Sequence, residues 1–263
     1  MIKSIQLTAV LCLLSSSIAV AGTIIDIQNK NQLTTVLTDG QQARVNMGEG
    51  EFVLVDHSSQ QLMMVNPHKQ EIMLFDGQQI PAGNNGPRVR TAVKLIGAGI
   101  NIAGYQTNKY EYFANGKFCG VIYGSKTAYQ VQGVKALFSA MRMLMDRQQA
   151  ILGGLANMLD VCTLADMKLS DHVATIGVPM RSEKNGEVET EIKNIQVGVE
   201  IPSYIFAIPA SYRIVTMPGQ TRDVATQMPK EQQYTPPYQP RMQDAMRQIY
   251  RTPSAMRQHP WPR

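Results

Sequence analysis

The sequence predicts an α+β protein built on a mainly antiparallel sheet, and three observations predict it. Nine short β-type runs separated by turn residues fill 22–124, an apolar pattern of helical period runs from Val131 to Cys162, and strand patterning returns between Ala174 and Met217. Strands, one helical insert and strands again is the order of an α+β chain.

The first six runs are Ile24 to Gln28, Leu33 to Leu37, Gln42 to Met47, Glu51 to Asp56, Gln61 to Val65 and Glu71 to Phe75. Asp39-Gly40, Gly48-Glu49-Gly50, Ser58-Ser59 and Asn66-Pro67 separate them with the residues that hairpin loops use. Connections this short favour a meander. Past a Pro- and Gly-rich loop from Pro81 to Pro87 come Val89 to Leu95, Tyr105 to Phe113 and Lys117 to Tyr123. Asn115-Gly116, between the last two, is the sharpest hairpin signal in the chain.

The period then changes. Val131, Val134, Leu137, Phe138, Met141, Leu144 and Met145, followed by Leu152, Leu155, Leu159 and Cys162, mark one face of a helix or helical hairpin. Gly153-Gly154 is expected to divide it, since glycine destabilises a helix interior by about 1 kcal/mol. Strands are expected again at Ala174 to Arg181, Glu187 to Val199, Tyr204 to Ile208 and Tyr212 to Met217.

Both ends of the chain differ from this body. Lys3, the apolar run from Ile5 to Ile18 and Ala19-Val20-Ala21 have the order of a cleavable secretory signal, with cleavage expected after Ala21. Residues 22–217 then form the β-rich domain, with its helical insert at about 125–172. Cys12 follows Leu11, where a lipoprotein signal would carry a small residue, so lipid attachment there is not expected. The exported chain is placed in the periplasm first and in the secreted medium second.

After Met217 the text loses periodicity and becomes rich in Pro, Gln, Met and Arg, the composition of a disordered tail over 218–263. The body from Gly22 to Met217 holds 17 Lys/Arg against 17 Asp/Glu, whereas the tail holds 7 against 3, so the basic excess belongs to the tail. A neutral body offers no electrostatic footprint for nucleic acid. Arg241, Arg247, Arg251 and Arg257 in the tail suit an anionic surface or an acidic envelope partner.

Cys119 and Cys162 remain after processing, and two thiols in an exported chain read as a disulfide or as two buried free thiols. Neither has a second Cys or a His at metal-ligand spacing. Ile96 to Gly104 contains several glycines but lacks the G-x-G-x-x-G interval and a following helix, so it reads as a loop between strands. His57, His68 and His172 are scattered, and Ser125-Lys126 lacks the spacing of a nucleophile pair. Glu187, Glu189 and Glu191 alternate on one strand face, which reads as solvated. No enzyme, cofactor or metal is expected. Methionine is frequent, and its adaptable thioether suits either a core or the lining of an apolar cavity.

The hairpin from Val53-Leu54-Val55-Asp56 to Met63-Met64-Val65-Asn66-Pro67 resembles one found in exported bacterial proteins of a domain-of-unknown-function family. Gly104-Tyr105-Gln106 leading into Lys109 to Tyr112, Lys117 to Tyr123, Gly177 to Met180 and Phe206 to Pro209 resemble its other segments. That family is similar to the LolA-like and LolB-like lipoprotein-carrier half-barrels. The resemblance implies a curved antiparallel half-barrel with a helical lid and an apolar cavity between them. On that footing the chain is expected to hold a lipid or acyl chain with Leu137, Phe138, Met141, Leu144 and Met145. The alternative is an envelope scaffold whose tail docks on a partner.

Overall fold

A computed structural model describes residues 21–30, 32–59, 61–75, 89–139, 141–142, 145 and 159–215. Twelve strands form one sheet: β1 (Ala21–Asn29), β2 (Gln32–Thr38), β3 (Gln42–Gly48), β4 (Glu51–Asp56), β5 (Gln61–Asn66), β6 (Glu71–Phe75), β7 (Thr91–Ala98), β8 (Asn108–Ala114), β9 (Lys117–Ser125), β10 (Val178–Lys184), β11 (Glu187–Glu200) and β12 (Arg213–Val215). Their order is β12-β6-β5-β4-β3-β2-β1-β11-β10-β9-β8-β7. Every neighbouring pair is antiparallel except β12 on β6.

This corrects the expected half-barrel under a helical lid. The structure is a single mixed sheet whose end strands, β12 and β7, do not pair with each other, and its described helices are few and short, so it is mainly β rather than α+β; β1 pairs with β11 and thereby fuses the early meander to the late strands. The described helices are short: Lys126–Tyr129, residues 134–139 with 141–142 and 145, Val161–Asp166 and Val173–Ile176, plus 3₁₀ turns at Leu169–His172 and Ser203–Phe206. Gly133, at φ +77 with Thr38 where a Cβ would stand, interrupts the apolar stripe after Val131. Gly177, at φ +78 and pressed on the Ser125 carbonyl, ends the last helical turn and starts β10. Two expected strands are therefore shortened or lost: 173–176 is helical and Ser203–Phe206 is a 3₁₀ turn.

Alternation along each strand fills both faces of the sheet. On one face Ile25, Val36, Ala43, Val53, Val55 and Leu62 join Tyr123, Val178, Met180 and Ile192 in one cluster that also takes in Val134 and Leu137. The opposite face carries two separate clusters. Ile24, Leu37, Leu54, Met63 and Ile72 pack under Ile201, Ile205, Phe206 and Ile208, while Tyr110, Tyr112, Cys119 and Ile122 pack under Cys162, Leu164, Ala165 and Ile176. Two-sided burial explains why Val53-Leu54-Val55 is an unbroken apolar run.

Among the described residues no helix is long and apolar enough to cross a membrane. Arg241, Arg247, Arg251, Arg257 and the tail assigned to 218–263 lie outside the described residues, as does the signal segment up to Val20.

Candidate functional site

Residues 134–139 are placed by hydrogen bonds on either side of Gly133. The Thr23 hydroxyl on β1 donates to the Gln132 carbonyl at 3.0 Å, and the Leu137 amide donates to the Gly133 carbonyl at 2.9 Å. Leu137 then enters the cluster at 4% exposure, with Val134 fully buried beside it. Phe138 and Met141 lie half-buried against the same cluster, as do Ala103 and Tyr105 from the loop before β8. Burial raises the pKa of the Tyr105 hydroxyl, so it stays protonated and is a hydrogen-bond donor at neutral pH. Met145 is helical and half-buried but is not among the residues packed on this cluster, and Leu144 lies outside the described residues.

A polar row borders the apolar face. Residues directly opposite one another across strands share a face, and the register aligns Glu191, Arg181, Tyr123 and Lys109 in that order. The Arg181 guanidinium carbon lies 5.7 Å from the Tyr123 ring centre, and Lys109 Nζ lies 5.8 Å from it. Arg181 Nη2 meets Glu183 Oε1 at 2.7 Å and Nη1 meets Glu191 Oε2 at 3.5 Å, while Lys193 Nζ holds the other Glu191 oxygen at 2.6 Å. Arg181 Nε is shut from solvent and has no hydrogen-bond acceptor among the described residues. Glu191 thus belongs to an ion-pair row, and Glu189 pairs with Lys30 at 3.0 Å, so the alternating glutamates are not the simple solvated face their spacing suggested.

Sequence reading missed this row because its members come from four strands. A partial signal existed: the Asn115-Gly116 turn sets Ala114 opposite Lys117, and counting back along both strands brings Lys109 beside Tyr123 after one bulge.

Cys119 and Cys162 form a disulfide that ties β9 to Val161–Asp166 on the other side of the sheet. Next to it a cavity of about 260 Å³ is lined by Tyr112, Ile122, Asp166, Leu169, Ser182 and Thr190, among others. Its three carboxylates are engaged, Asp166 with Lys184, Glu183 with Arg181 and Glu189 with Lys30; burial raises the Asp166 pKa and its pairing opposes that. The histidines stay apart: His68 meets the Glu49 carbonyl, His172 meets Thr91 Oγ1 at 2.8 Å, and His57 Nε2 is buried with no partner among the described residues. Among the described residues no group of three Cys, His, Asp or Glu side chains is placed to hold a metal.

No family model and no curated protein matches the chain. Among solved structures it is similar to an uncharacterized conserved protein from Thermus thermophilus, at 11% identity and a TM-score of 0.39, over 75% of this chain and 91% of that one. It is also similar to PNGF-II in two crystal forms, at 11% and 9% identity with TM-scores of 0.37, covering 31% and 32% of those chains and 76% and 75% of this one. Likeness at this level carries no functional argument.

Proposed function

We propose that the chain is an exported, non-enzymatic cell-envelope protein that holds an apolar ligand, a lipid or acyl chain, against the sheet face on which Leu137, Phe138 and Met141 lie. One observation supports this reading most. Leu137 is sealed into the cluster, whereas Phe138 and Met141 touch it on one side and remain partly open on the other, as side chains that share an apolar surface with a ligand do. The test is purification from the native envelope under mild conditions, followed by mass spectrometry of co-purifying small molecules. A stoichiometric lipid is the expected result, and a protein that carries none overturns the reading.

A second reading, an envelope scaffold, draws on β7. This strand ends the sheet, pairs with β8 alone among the described residues, and exposes Leu95 and Ile96. An edge of that kind is a ready template for a partner strand. Deleting 218–263 would separate a role for the basic tail from a role for this edge. Partner recovery that disappears with the tail assigns docking to the tail.

A further inference from the structure

We propose, resting on the apolar-ligand reading, that the ligand is an anionic amphiphile whose carboxylate or phosphate head is bound by Arg181 and Lys109 on either side of Tyr123.

Three observations converge on this class. First, the cation-bearing row and the apolar surface share Tyr123, which belongs to the same cluster as Leu137, so a chain lying on the cluster brings its head to this row. Second, donors remain to be used. The two Nη atoms of Arg181 are occupied by Glu183 and Glu191, yet Nε has no acceptor, and a buried guanidinium N–H left without one is a recurrent cost that an oxyanion would remove. Lys109 makes no ion pair among the described residues, and its ammonium has three N–H groups held beside the ring. Third, the row is unbalanced. Lys109, Arg181 and Lys193 face Glu183 and Glu191, which leaves one positive charge in excess next to an apolar surface. Low surrounding polarity strengthens the attraction of that excess for an anion.

The spacing agrees. Arg181 and Lys109 stand on the strands either side of β9, so their backbones are about 10 Å apart at ordinary strand separation. Both cations nevertheless lie near the one Tyr123 ring centre, at 5.7 Å for the guanidinium carbon and 5.8 Å for Lys109 Nζ, so they border the same stretch of surface.

The experiment is equilibrium binding of three probes with the same twelve-carbon tail, 1-dodecanol, laurate and dodecyl phosphate, to the full purified chain. Both anions are expected to bind about tenfold tighter than the alcohol, the size of one charge-assisted hydrogen bond. Dodecyl phosphate ahead of laurate points to a phospholipid head, and the reverse order points to a free fatty acid. Lys109→Gln is expected to remove most of the preference without changing dodecanol binding, and it breaks no ion pair within the described chain. Arg181→Gln tests the second cation, with circular dichroism checking that the sheet remains. Equal binding of all three probes overturns the anionic head and leaves the apolar-ligand reading in place. No binding of any probe overturns both.

Discussion

The two covers on the sheet face opposite Leu137, Phe138 and Met141 are held down by different means. Residues 201–212 lie over β1 to β6 with Ile201, Ile205, Phe206 and Ile208 buried and Tyr212 half-buried, and their anchor is Arg44. Arg44 is 2% exposed and stands in an otherwise apolar cross-strand row of Ile24, Leu37, Leu54 and Met63. Its Nη1 donates to the Ile205 carbonyl at 2.9 Å, its Nε donates to Asn46 at 2.8 Å, and its guanidinium lies 3.4 Å from the Phe52 ring centre. Burial lowers its pKa to about 9, with Tyr212 opposing, so it remains charged at neutral pH. Residues 161–176 cover β8 and β9 with short helical turns, burying Cys162, Leu164, Ala165, Val173 and Ile176. Helices that short do not persist alone in water, and this cover is tied by the disulfide and by the Tyr112 hydroxyl donating to the Ala165 carbonyl. The longer, irregular cover carries a charged anchor inside its apolar contact, whereas the cover of short helical turns is fastened by a covalent tie.

The sharpest way to break the comparison is to remove the tie. Cys119 and Cys162 are 43 residues apart, and opening such a loop in the unfolded chain costs about 4 kcal/mol in the chain-entropy account. Thermal unfolding of Cys119→Ser/Cys162→Ser should show that loss, with hydrogen exchange accelerating in 161–176 before 201–215. Equal acceleration in both covers would end the distinction.

Arg44 gives the next effect. Arg44→Ala should destabilise by about 3 kcal/mol, through a cavity and an orphaned Ile205 carbonyl. Arg44→Met should restore most of it, because a well-packed apolar chain does not bear the desolvation cost of a charge. Denaturant melts of both variants check this, and a methionine as harmful as alanine would make the charge itself the anchor. Tyr112→Phe, which removes the hydroxyl and keeps the ring, should cost about 1 kcal/mol with the disulfide intact.

The smallest effect is a pH dependence confined to the disulfide-tied cover. Burial holds the His172 pKa below its ordinary 6.5, with Asp171 opposing. The unfolded chain therefore takes up this proton first, and the cover loses stability as pH falls from 6.5 through the folded value. His172→Gln should flatten the pH dependence of exchange in 161–176 and leave 201–215 unchanged.

Much of the sheet was legible. Glu51–Asp56 and Glu71–Phe75 are strands over the residues their patterning marked, because alternation and flanking turns act locally. Ala174 to Arg181 misled because its apolar spacing suits a strand and a helical turn alike, and Gly177 decides between them through a close approach to Ser125 that no local pattern reveals. Leu137, Phe138 and Met141 were legible as a stripe, and their sheet partners were not. The Lys109, Tyr123, Arg181 and Glu191 row depends on three registers and the bulges within them, so it becomes visible only once the strands are aligned.

The pairing of β1 with β11 has a consequence for how the chain acquires its structure. Ile25 lies opposite Ile195, so the first strand of the sheet to leave the ribosome is completed by nearly the last. A meander of β1 to β6 can assemble early from neighbouring hairpins, but one edge of β1 then stays open through most of synthesis. Long-range closure of this kind is slow and leaves strand edges exposed to other chains. The segment most in need of a chaperone is therefore the amino-terminal strand, during the interval before its distant partner arrives.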